Sequence, residues 1–275
     1  MMSHIENELN EKVVQLGLVE HISKLGWKFS SDESLKRPYE TVFLQDDLSN
    51  VLALLNPEIQ ETPKRADEVI SKFRAVLLGV RNDGLSAANE EFVAWLCGRR
   101  TIKYIGTDKN VQVRLIDFDD LQRNIFRVTT EVTFYVGRER RRYDIVLWVN
   151  GFPVVVGEIK TPKEANVSWL NGATDIHNAY ERKTPEFFVP NILSFASEGR
   201  EFRYGAVGQL PELWLNWSST ADAILTPGLP NVLRSAELLL TPQMILDILR
   251  TYTLFSLREL QMVLCVRKLF PVILK

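Results

Sequence analysis

Residues 141–160 read RRYDIVLWVNGFPVVVGEIK, and this stretch decides which fold the sequence predicts. Two apolar runs rich in β-branched residues flank Asn150-Gly151, a pair that is typical of a tight β-hairpin turn. Because both runs are almost continuously apolar, we expect two strands that are buried on both faces of a sheet. Asp144, Glu158 and Lys160 then lie at the ends of these strands rather than in loops.

Two carboxylates and an ammonium at buried strand ends indicate a particular chemistry. Charged groups are costly to bury unless something compensates them, and Mg²⁺ typically takes one or two carboxylates. Lys160 lies two residues after Glu158, so both point to one face of a strand, where the ammonium can stabilise charge on phosphoryl oxygens. The pattern predicts a metal-dependent phosphodiesterase; the alternative is a structural ion pair at a sheet edge.

The register of the hairpin tests this site. A strict two-residue turn pairs residue 149 with residue 152, which places Asp144 opposite residue 157 and on the other face from Glu158. An odd-length turn or a β-bulge brings the charged residues to one face, so we predict one of the two. A second Glu-x-Lys at 181–183 lies in a predicted helix, where residues two apart do not face each other, and we interpret it as unrelated.

The composition excludes several classes of protein. A chain of 275 residues with 45% hydrophobic content can bury a full core, and a formal charge of −2 means that contact with nucleic acid must come from local basic clusters. The two cysteines and three histidines have no ligand spacing, so we expect reduced thiols and no zinc site. The acidic N-terminus and the lack of a long uncharged run predict a soluble cytoplasmic protein with no membrane partner.

Hydrophobic periodicity predicts an α/β (α+β) fold with a central mixed β-sheet flanked by helices. Helices are predicted at about 12–29, 44–55, 63–78 and 86–98, in a stretch ending near 183, and after the N-cap Thr241 with Pro242 at the first helical position. Strands are predicted at about 111–117, 125–136, in the hairpin, at 188–196 and at 201–207.

The same pattern divides the chain into three parts. Residues 1–210 are predicted to form one domain with an N-terminal helical part and a core at about 100–207. Residues 211–240, which contain three prolines, are predicted to form an irregular connection. Residues 241–275 are predicted to be a C-terminal helical segment, whose apolar end at 262–274 packs against a following domain.

Further polar and aromatic residues have both a functional and a structural interpretation. A basic cluster lies shortly before Asp144 and could hold a phosphate backbone, or it could form a solvated hairpin loop; its members are Arg138, Arg140, Arg141 and Arg142. For three other sets the structural interpretation is favoured: an Asp-rich turn rather than a second metal site at Asp117, Asp119 and Asp120; a solvated helix face at Glu20; and packing rather than base stacking at Trp214 and Trp217.

The run from Arg142 to Lys160 resembles the signature of the N-terminal nuclease domain of the restriction (motor) subunit of type I restriction-modification enzymes. Other blocks resemble the same family at 48–57, 88–92, 113–119, 184–188 and 197–199, and the likeness covers roughly residues 40–255. It implies a PD-(D/E)xK (restriction-endonuclease-like) core. It also implies that Asp144, Glu158 and the backbone carbonyl of Ile159 bind Mg²⁺, with Lys160 as the catalytic lysine.

Two positions depart from the family pattern. Tyr143 stands where the family usually has Pro, a change that affects only how the chain enters the strand. In the following helix the pattern Gln-x-x-x-Tyr is matched by Tyr180, for which the resemblance implies a contact with DNA, but Ile176 replaces the Gln. His177, the next residue, is the candidate to substitute for the missing polar group.

The resemblance also implies partners. Such subunits continue into a helicase-type motor that uses ATP, and they cut unmethylated foreign double-stranded DNA together with methyltransferase and specificity subunits. This chain has no P-loop and ends in an apolar stretch, so we expect a piece of a longer subunit whose ATP dependence lies in the motor. The alternatives are a non-catalytic scaffold of the same fold that docks the motor or holds DNA, and a free-standing nuclease.

Overall fold

The computed structural model describes residues 10–161, 166–217, 228–256 and 261–264, and its centre is a seven-stranded mixed sheet. Predictions for the first eight residues and for the packing of 262–274 lie outside what it describes. From one edge of the sheet to the other the strands are β1 (Lys28–Phe29), β4 (Phe126–Val136), β5 (Glu139–Val149), β6 (Phe152–Ile159), β7 (Leu193–Ser197), β8 (Phe202–Ala206) and β9 (Leu215–Asn216). Two smaller pairs join β2 (Thr101–Lys103) with β3 (Asn110–Gln112) and β10 (Thr253–Ser256) with β11 (Gln261–Leu264).

Helices flank this sheet, as the sequence predicted. They are α1 (Glu11–Lys24), α2 (Gln45–Leu55), α3 (Pro57–Glu61), α4 (Arg65–Asp83), α5 (Leu85–Leu96), α6 (Trp169–Thr174), α7 (Glu181–Lys183), α8 (Pro185–Phe188), α9 (Leu229–Leu239) and α10 (Pro242–Asp247). π-Helical stretches at Asp175–Tyr180 and Ile248–Tyr252 continue α6 and α10. None of the described helices is long and apolar enough to cross a membrane. The predicted fold class is confirmed.

The hairpin of β5 and β6 lies at the centre of the sheet. Every residue from Tyr143 to Val149 and every residue of β6 is buried, as the continuous apolar pattern predicted. β6 pairs with β7 in parallel, which requires the chain to cross over between them. The crossover runs through α6, α7 and α8, and it carries polar side chains to the end of β6.

One hydrophobic cluster joins the first and the last described helices. It includes Val14 of α1, Val232 of α9 and Leu249, together with the apolar residues of the central strands. The indole Nε1 of Trp27 donates to the carbonyl oxygen of Leu240 at 2.6 Å. The described chain after residue 228 therefore packs on the same core as the sheet.

The strand predicted at 111–117 ends early. β3 stops at Gln112, although Val113 and Leu115 are buried, as their alternation predicted. The side chain of Asn56 accepts from the N–H of Arg114 at 2.8 Å and donates to its carbonyl at 2.9 Å. A side-chain amide, rather than a neighbouring strand, thus satisfies the backbone of Arg114. The strand predicted at 111–117 therefore does not join the sheet that contains β4 and the hairpin.

Two element boundaries also differ from prediction. The first helix ends at Lys24, close to the stop predicted at Gly26 and Trp27 but well before residue 29, because Gly26 takes a positive φ of 112° and Lys28–Phe29 then pairs with β4. The strand predicted at 188–196 begins at Leu193, since Pro185 opens the short helix α8.

The region 211–240 was predicted to be irregular, and this is wrong for Leu229–Leu239, which form α9. Pro230 lies in the first turn of this helix, where its missing N–H has no helical partner to lose, so it starts a helix rather than breaking one. The cap at Thr241 is confirmed, because its Oγ1 accepts from the N–H of Met244 at 3.2 Å. The last segment is not helical throughout, since β10 and β11 follow.

Candidate active site

A β-bulge sets the register on which the site depends. The turn at Asn150 and Gly151 has two residues, both with positive φ, and Val149 pairs with Phe152 across it. The pairing then shifts by one, because Trp148 faces Pro153 whereas Leu147 faces Val155. Val154 is the extra residue, and the predicted bulge is confirmed.

The shifted register aligns the two carboxylates. Ile145 pairs with Gly157, so one step further along each strand Asp144 lies opposite Glu158. Residues directly opposite in an antiparallel pair point to the same face. Lys160 follows Glu158 by two and keeps this face, so the structure brings together the three residues that the sequence singled out.

Hydrogen bonds fix both the side chain and the backbone of Asp144. Its Oδ2 accepts from the N–H of Ile159 at 2.7 Å, and its carbonyl oxygen accepts from Nε2 of Gln15 at 2.8 Å. Burial raises the pKa of Asp144 to about 6, with further contributions from Glu11 and Glu131, although the Ile159 N–H favours the ionised form. The carboxyl group is therefore partly protonated near neutral pH.

Glu158 is the most buried charged group of the site, with 3% of its surface exposed. Its Oε1 accepts from Nζ of Lys160 at 2.7 Å and from the hydroxyl of Tyr180 at 3.1 Å. Its Oε2 is buried and has no hydrogen-bond partner among the described residues. Burial, then the charge of Asp144, raises the pKa of Glu158 to about 8.

A close approach of α6 makes this burial possible. Gly172 packs against Glu158, and a Cβ at this glycine would lie 3.3 Å from the Cγ of Glu158 and 3.2 Å from the Cβ of Ala196. The helix that supplies Tyr180 can therefore lie directly over the end of β6.

Lys160 contacts two carboxylates at once. Its Nζ lies 2.7 Å from Oε1 of Glu158 and 2.6 Å from Oδ2 of Asp175. Burial by itself lowers the pKa of Lys160, but the two carboxylates outweigh this effect and the net pKa is raised. The raised pKa favours the ammonium form of Lys160, which faces the paired carboxylates.

The donor set fits a hard divalent cation. A buried carboxylate oxygen without a partner is costly, and a cation compensates for it. Within the described residues no group of three or more His, Cys, Asp or Glu side chains is arranged to hold a metal. Two carboxylates are nevertheless sufficient for Mg²⁺, which usually completes its shell with waters and substrate phosphate.

Comparisons with known proteins show which family the chain belongs to. The sequence model described as "Type I restriction enzyme R protein N terminus" matches residues 8–212, most of the chain. The chain belongs to this family. It is 26% identical over 266 residues to the "Type I restriction enzyme HindI endonuclease subunit" of Haemophilus influenzae, which covers 90% of this chain and 24% of that protein. It is 25% identical over 211 residues to the "Putative type I restriction enzyme MjaIXP endonuclease subunit" of Methanocaldococcus jannaschii, covering 72% and 20%.

The chain thus spans about a quarter or less of the length of these relatives. The matched region contains the hairpin, α6 and Tyr180, and hence the paired carboxylates. What the family shows is the N-terminal endonuclease region of an R subunit, with a nuclease fold built on the mixed sheet.

The arginines before Asp144 divide between two sides of β5. Arg140 and Arg142 are exposed and share the strand face of Asp144; Arg140 lies over the ring of Tyr135, and Arg142 pairs with Glu131 at 2.7 Å. Arg141 points to the opposite face, where it pairs with Glu139 at 2.9 Å. The structure therefore does not bring Arg141 together with the carboxylates.

Two side chains that the sequence analysis missed also belong to the site. Gln15 of α1 donates both to the carbonyl of Asp144 and to Oε1 of Glu131 at 2.9 Å, which ties the first helix to the strand end. Asp175 supplies the second carboxylate on Lys160. No local sequence pattern identifies either residue, because Gln15 and Asp175 belong to elements outside the hairpin.

Neither Ile176 nor His177 supplies the polar group that the family pattern has near the site. Ile176 is fully buried in the hydrophobic core. His177 does not replace the missing Gln, since its Nδ1 lies 3.1 Å from Oε2 of Glu181. Tyr180 donates to Glu158 and packs edge-to-face on Tyr143 at 5.3 Å.

The remaining candidates follow their structural interpretations. Asp117 accepts from the N–H groups of Asp119 and Asp120 at 3.1 and 3.0 Å, as an Asp-rich turn does. Glu20 is exposed and pairs with Lys24 at 2.7 Å. Both Trp214 and Trp217 are buried in the core.

Proposed function

We propose that this chain is a Mg²⁺-dependent DNA endonuclease domain that hydrolyses phosphodiester bonds with Asp144, Glu158 and Lys160. Membership of the R-subunit family supports the reaction class. The observation that carries the proposal is the alignment of two buried carboxylates across the bulge, with Oε2 of Glu158 lacking a partner among the described residues.

In this proposal Asp144, Glu158 and the carbonyl of Ile159 hold the cation. Mg²⁺, when bound, supplies positive charge beside the scissile phosphate and makes a water a better nucleophile. A nearby cation favours the ionised forms of both carboxyl groups, whose pKa values of about 6 and about 8 otherwise keep them partly protonated. Metal binding and deprotonation are therefore coupled at this site.

Lys160 acts on the phosphate in this scheme. Its ammonium stays protonated, because Glu158 and Asp175 raise its pKa despite burial. It can therefore donate hydrogen bonds to phosphoryl oxygens and stabilise the negative charge that develops there. Tyr180 orients Glu158 through the hydrogen bond that its hydroxyl donates to Oε1.

Arg140 and Arg142 are proposed to hold the backbone of double-stranded DNA. Both are exposed on the strand face of Asp144, and guanidinium groups bind phosphates in a bidentate manner. Arg142 would exchange its pairing with Glu131 for a phosphate. Arg141 is left out because it points to the other face.

The partners are part of the proposal. The chain covers only the N-terminal quarter or less of its relatives, which leaves room in a longer subunit for a motor that uses ATP. DNA recognition would then lie with methyltransferase and specificity subunits, and the nuclease site would cut unmethylated foreign DNA without reading its sequence.

Calorimetry and plasmid cleavage test the proposal together. We expect this chain to bind Mg²⁺ or Mn²⁺, with binding lost in Asp144→Ala and kept in Asp119→Asn, whose carboxylate is exposed. We also expect cleavage of supercoiled plasmid to require the metal and Lys160. A wild-type chain with no cation site dependent on Asp144 would overturn the enzyme assignment.

One observation favours a second function, a non-catalytic scaffold. Ile176, which is fully buried, stands where the family pattern has a polar side chain near the site. DNA binding that needs Arg140 and Arg142, without cleavage or a cation site, would support the scaffold instead.

A further inference from the structure

The helix that follows β6 changes its winding directly beside the site. It runs from Trp169 to Lys183, and its middle part, Asp175–Tyr180, is π-helical. At the end of this part the N–H of Glu181 donates to the carbonyl oxygen of Ile176, five residues earlier. Such single π-turns inside α-helices are uncommon and are frequent at functional sites.

The two ends of the π-helical stretch each contact one member of the ion pair between Lys160 and Glu158. The first residue, Asp175, contacts Nζ of Lys160 at 2.6 Å. The last residue, Tyr180, donates to Oε1 of Glu158 at 3.1 Å, and this same oxygen accepts from Lys160 at 2.7 Å. Asp175, Lys160, Glu158 and Tyr180 therefore form one continuous chain of hydrogen bonds.

Regular α-helical winding would place Asp175 and Tyr180 on different faces of the helix. Residues five apart in an α-helix point about 140° away from each other, whereas residues four apart share a face. A π-turn closes its hydrogen bonds between residues five apart, which brings Asp175 and Tyr180 to the same side. Ile176, four residues before Tyr180, is turned into the core instead.

We propose that Asp175 is a positioning residue of the nuclease site, which fixes the ammonium of Lys160 over the carboxylates and reaches it through the π-turn. This inference deepens the proposed function and rests on it. The side chain of Asp175 is half-exposed, so it holds the lysine from the solvent side while Glu158 holds it from the buried side.

A set of substitutions in this chain tests the inference. Asp175→Asn keeps the size and removes the charge, Asp175→Glu keeps the charge, and Asp119→Asn removes the carboxylate of an exposed ion pair with Arg250 as a matched control. The first readout is the ¹⁵N resonance of the Lys160 ammonium without metal or DNA. The second is the rate of plasmid cleavage in Mg²⁺, compared with the Kd for the same DNA in Ca²⁺.

We expect the Lys160 resonance, protected by two carboxylates, to be lost in Asp175→Asn and kept in Asp175→Glu and Asp119→Asn. The cleavage rate should fall about ten- to hundredfold in Asp175→Asn with an unchanged Kd for DNA, because only the position of the reacting group is disturbed. Asp175→Glu should recover a large part of the rate.

An unchanged resonance in Asp175→Asn would overturn the inference. So would a lost resonance with an unaltered cleavage rate, or a loss of rate that Asp175→Glu does not recover. If the wild-type chain neither cuts DNA nor has a cation site that depends on Asp144, the proposed nuclease function fails, and the ammonium resonance by itself then decides whether Asp175 holds Lys160.

Discussion

The chain contains the pattern Glu-x-Lys in two regions, which differ in backbone conformation, burial and ion pairing. At Glu158 and Lys160 the pattern lies at the end of a strand, where residues two apart share a face and the two charges are 2.7 Å apart. At Glu181 and Lys183 it lies in a short helix, where Glu181 is buried and Lys183 is exposed and 4.0 Å from Glu139. The same three-residue pattern brings its two charged groups together in one backbone and separates them in the other.

The two buried glutamates also differ in how their oxygens are satisfied. Glu181 accepts from the N–H of Gly208 on Oε1, and its Oε2 lies 3.1 Å from Nδ1 of His177, so both oxygens have protein partners. Glu158 uses Oε1 for Lys160 and Tyr180, and its buried Oε2 has no partner among the described residues. A buried group with remaining bonding capacity can receive a ligand, whereas a satisfied one holds the fold.

The largest expected difference between the regions is catalytic. Lys160→Ala should lower the rate of plasmid cleavage by about 10²- to 10³-fold, because one preorganised charge on the phosphoryl oxygens is removed. Lys183→Ala is the matched variant and should cleave within about twofold of the wild-type rate, as expected for an exposed surface substitution. Equal losses in the two variants would remove the distinction between the two patterns.

Metal binding should separate the two glutamates next. Mg²⁺ at a hundredfold excess over its Kd should raise the free energy of unfolding by about 2.7 kcal/mol if it binds only the folded state. The increase should be absent in Glu158→Gln and retained in Glu181→Gln. Urea denaturation with and without Mg²⁺ measures it, and a metal effect that survives in Glu158→Gln would place the cation elsewhere.

The stability of the metal-free chain should depend on pH through the site. The pKa values of Asp144 and Glu158 are raised from 3.8 and 4.5 to about 6 and about 8, so the folded state binds protons more tightly than the unfolded state. Their contribution to stability is full below the unfolded pKa values and is lost as the pH rises toward 8. We expect the free energy of unfolding to fall over this window by on the order of 1 kcal/mol or more.

Glu158→Gln should flatten this fall, since it removes the group with the larger pKa shift. Asp119→Asn should leave the slope unchanged. Chemical denaturation at a series of pH values is the measurement, and stability that instead rises from pH 5 to 8 would contradict the raised pKa values.

The smallest expected effect concerns DNA affinity on the two faces of β5. Arg140→Ala and Arg142→Ala should each reduce the slope of log Kd against log salt by about 1, as expected when one phosphate contact is lost. Arg141→Ala should leave the slope unchanged, because its side chain points to the other face. Fluorescence anisotropy with a labelled duplex checks this, and equal effects of all three would mean that strand face does not decide DNA contact.

Much of the fold was predictable because its signals are local. Continuous apolar strands, the Asn-Gly turn and the cap at Thr241 each depend on a few neighbouring residues, and all three are present in the structure. The predictions failed where one residue type can have either of two structural roles. Pro230 starts a helix where a loop was expected, and Asn56 satisfies a backbone where a strand was expected.

The sequence by itself determined the strand face of Glu158 and Lys160, and it required an irregular register to bring Asp144 to that face. This is possible because the two-residue period of a strand is fixed by the backbone. Only the tertiary structure decided that Val154 is the bulged residue and that Asp175, rather than residue 176 or His177, reaches Lys160. The regular spacing of an α-helix could not predict the contact between Asp175 and Lys160, because a π-turn changes this spacing where the helix packs over the site.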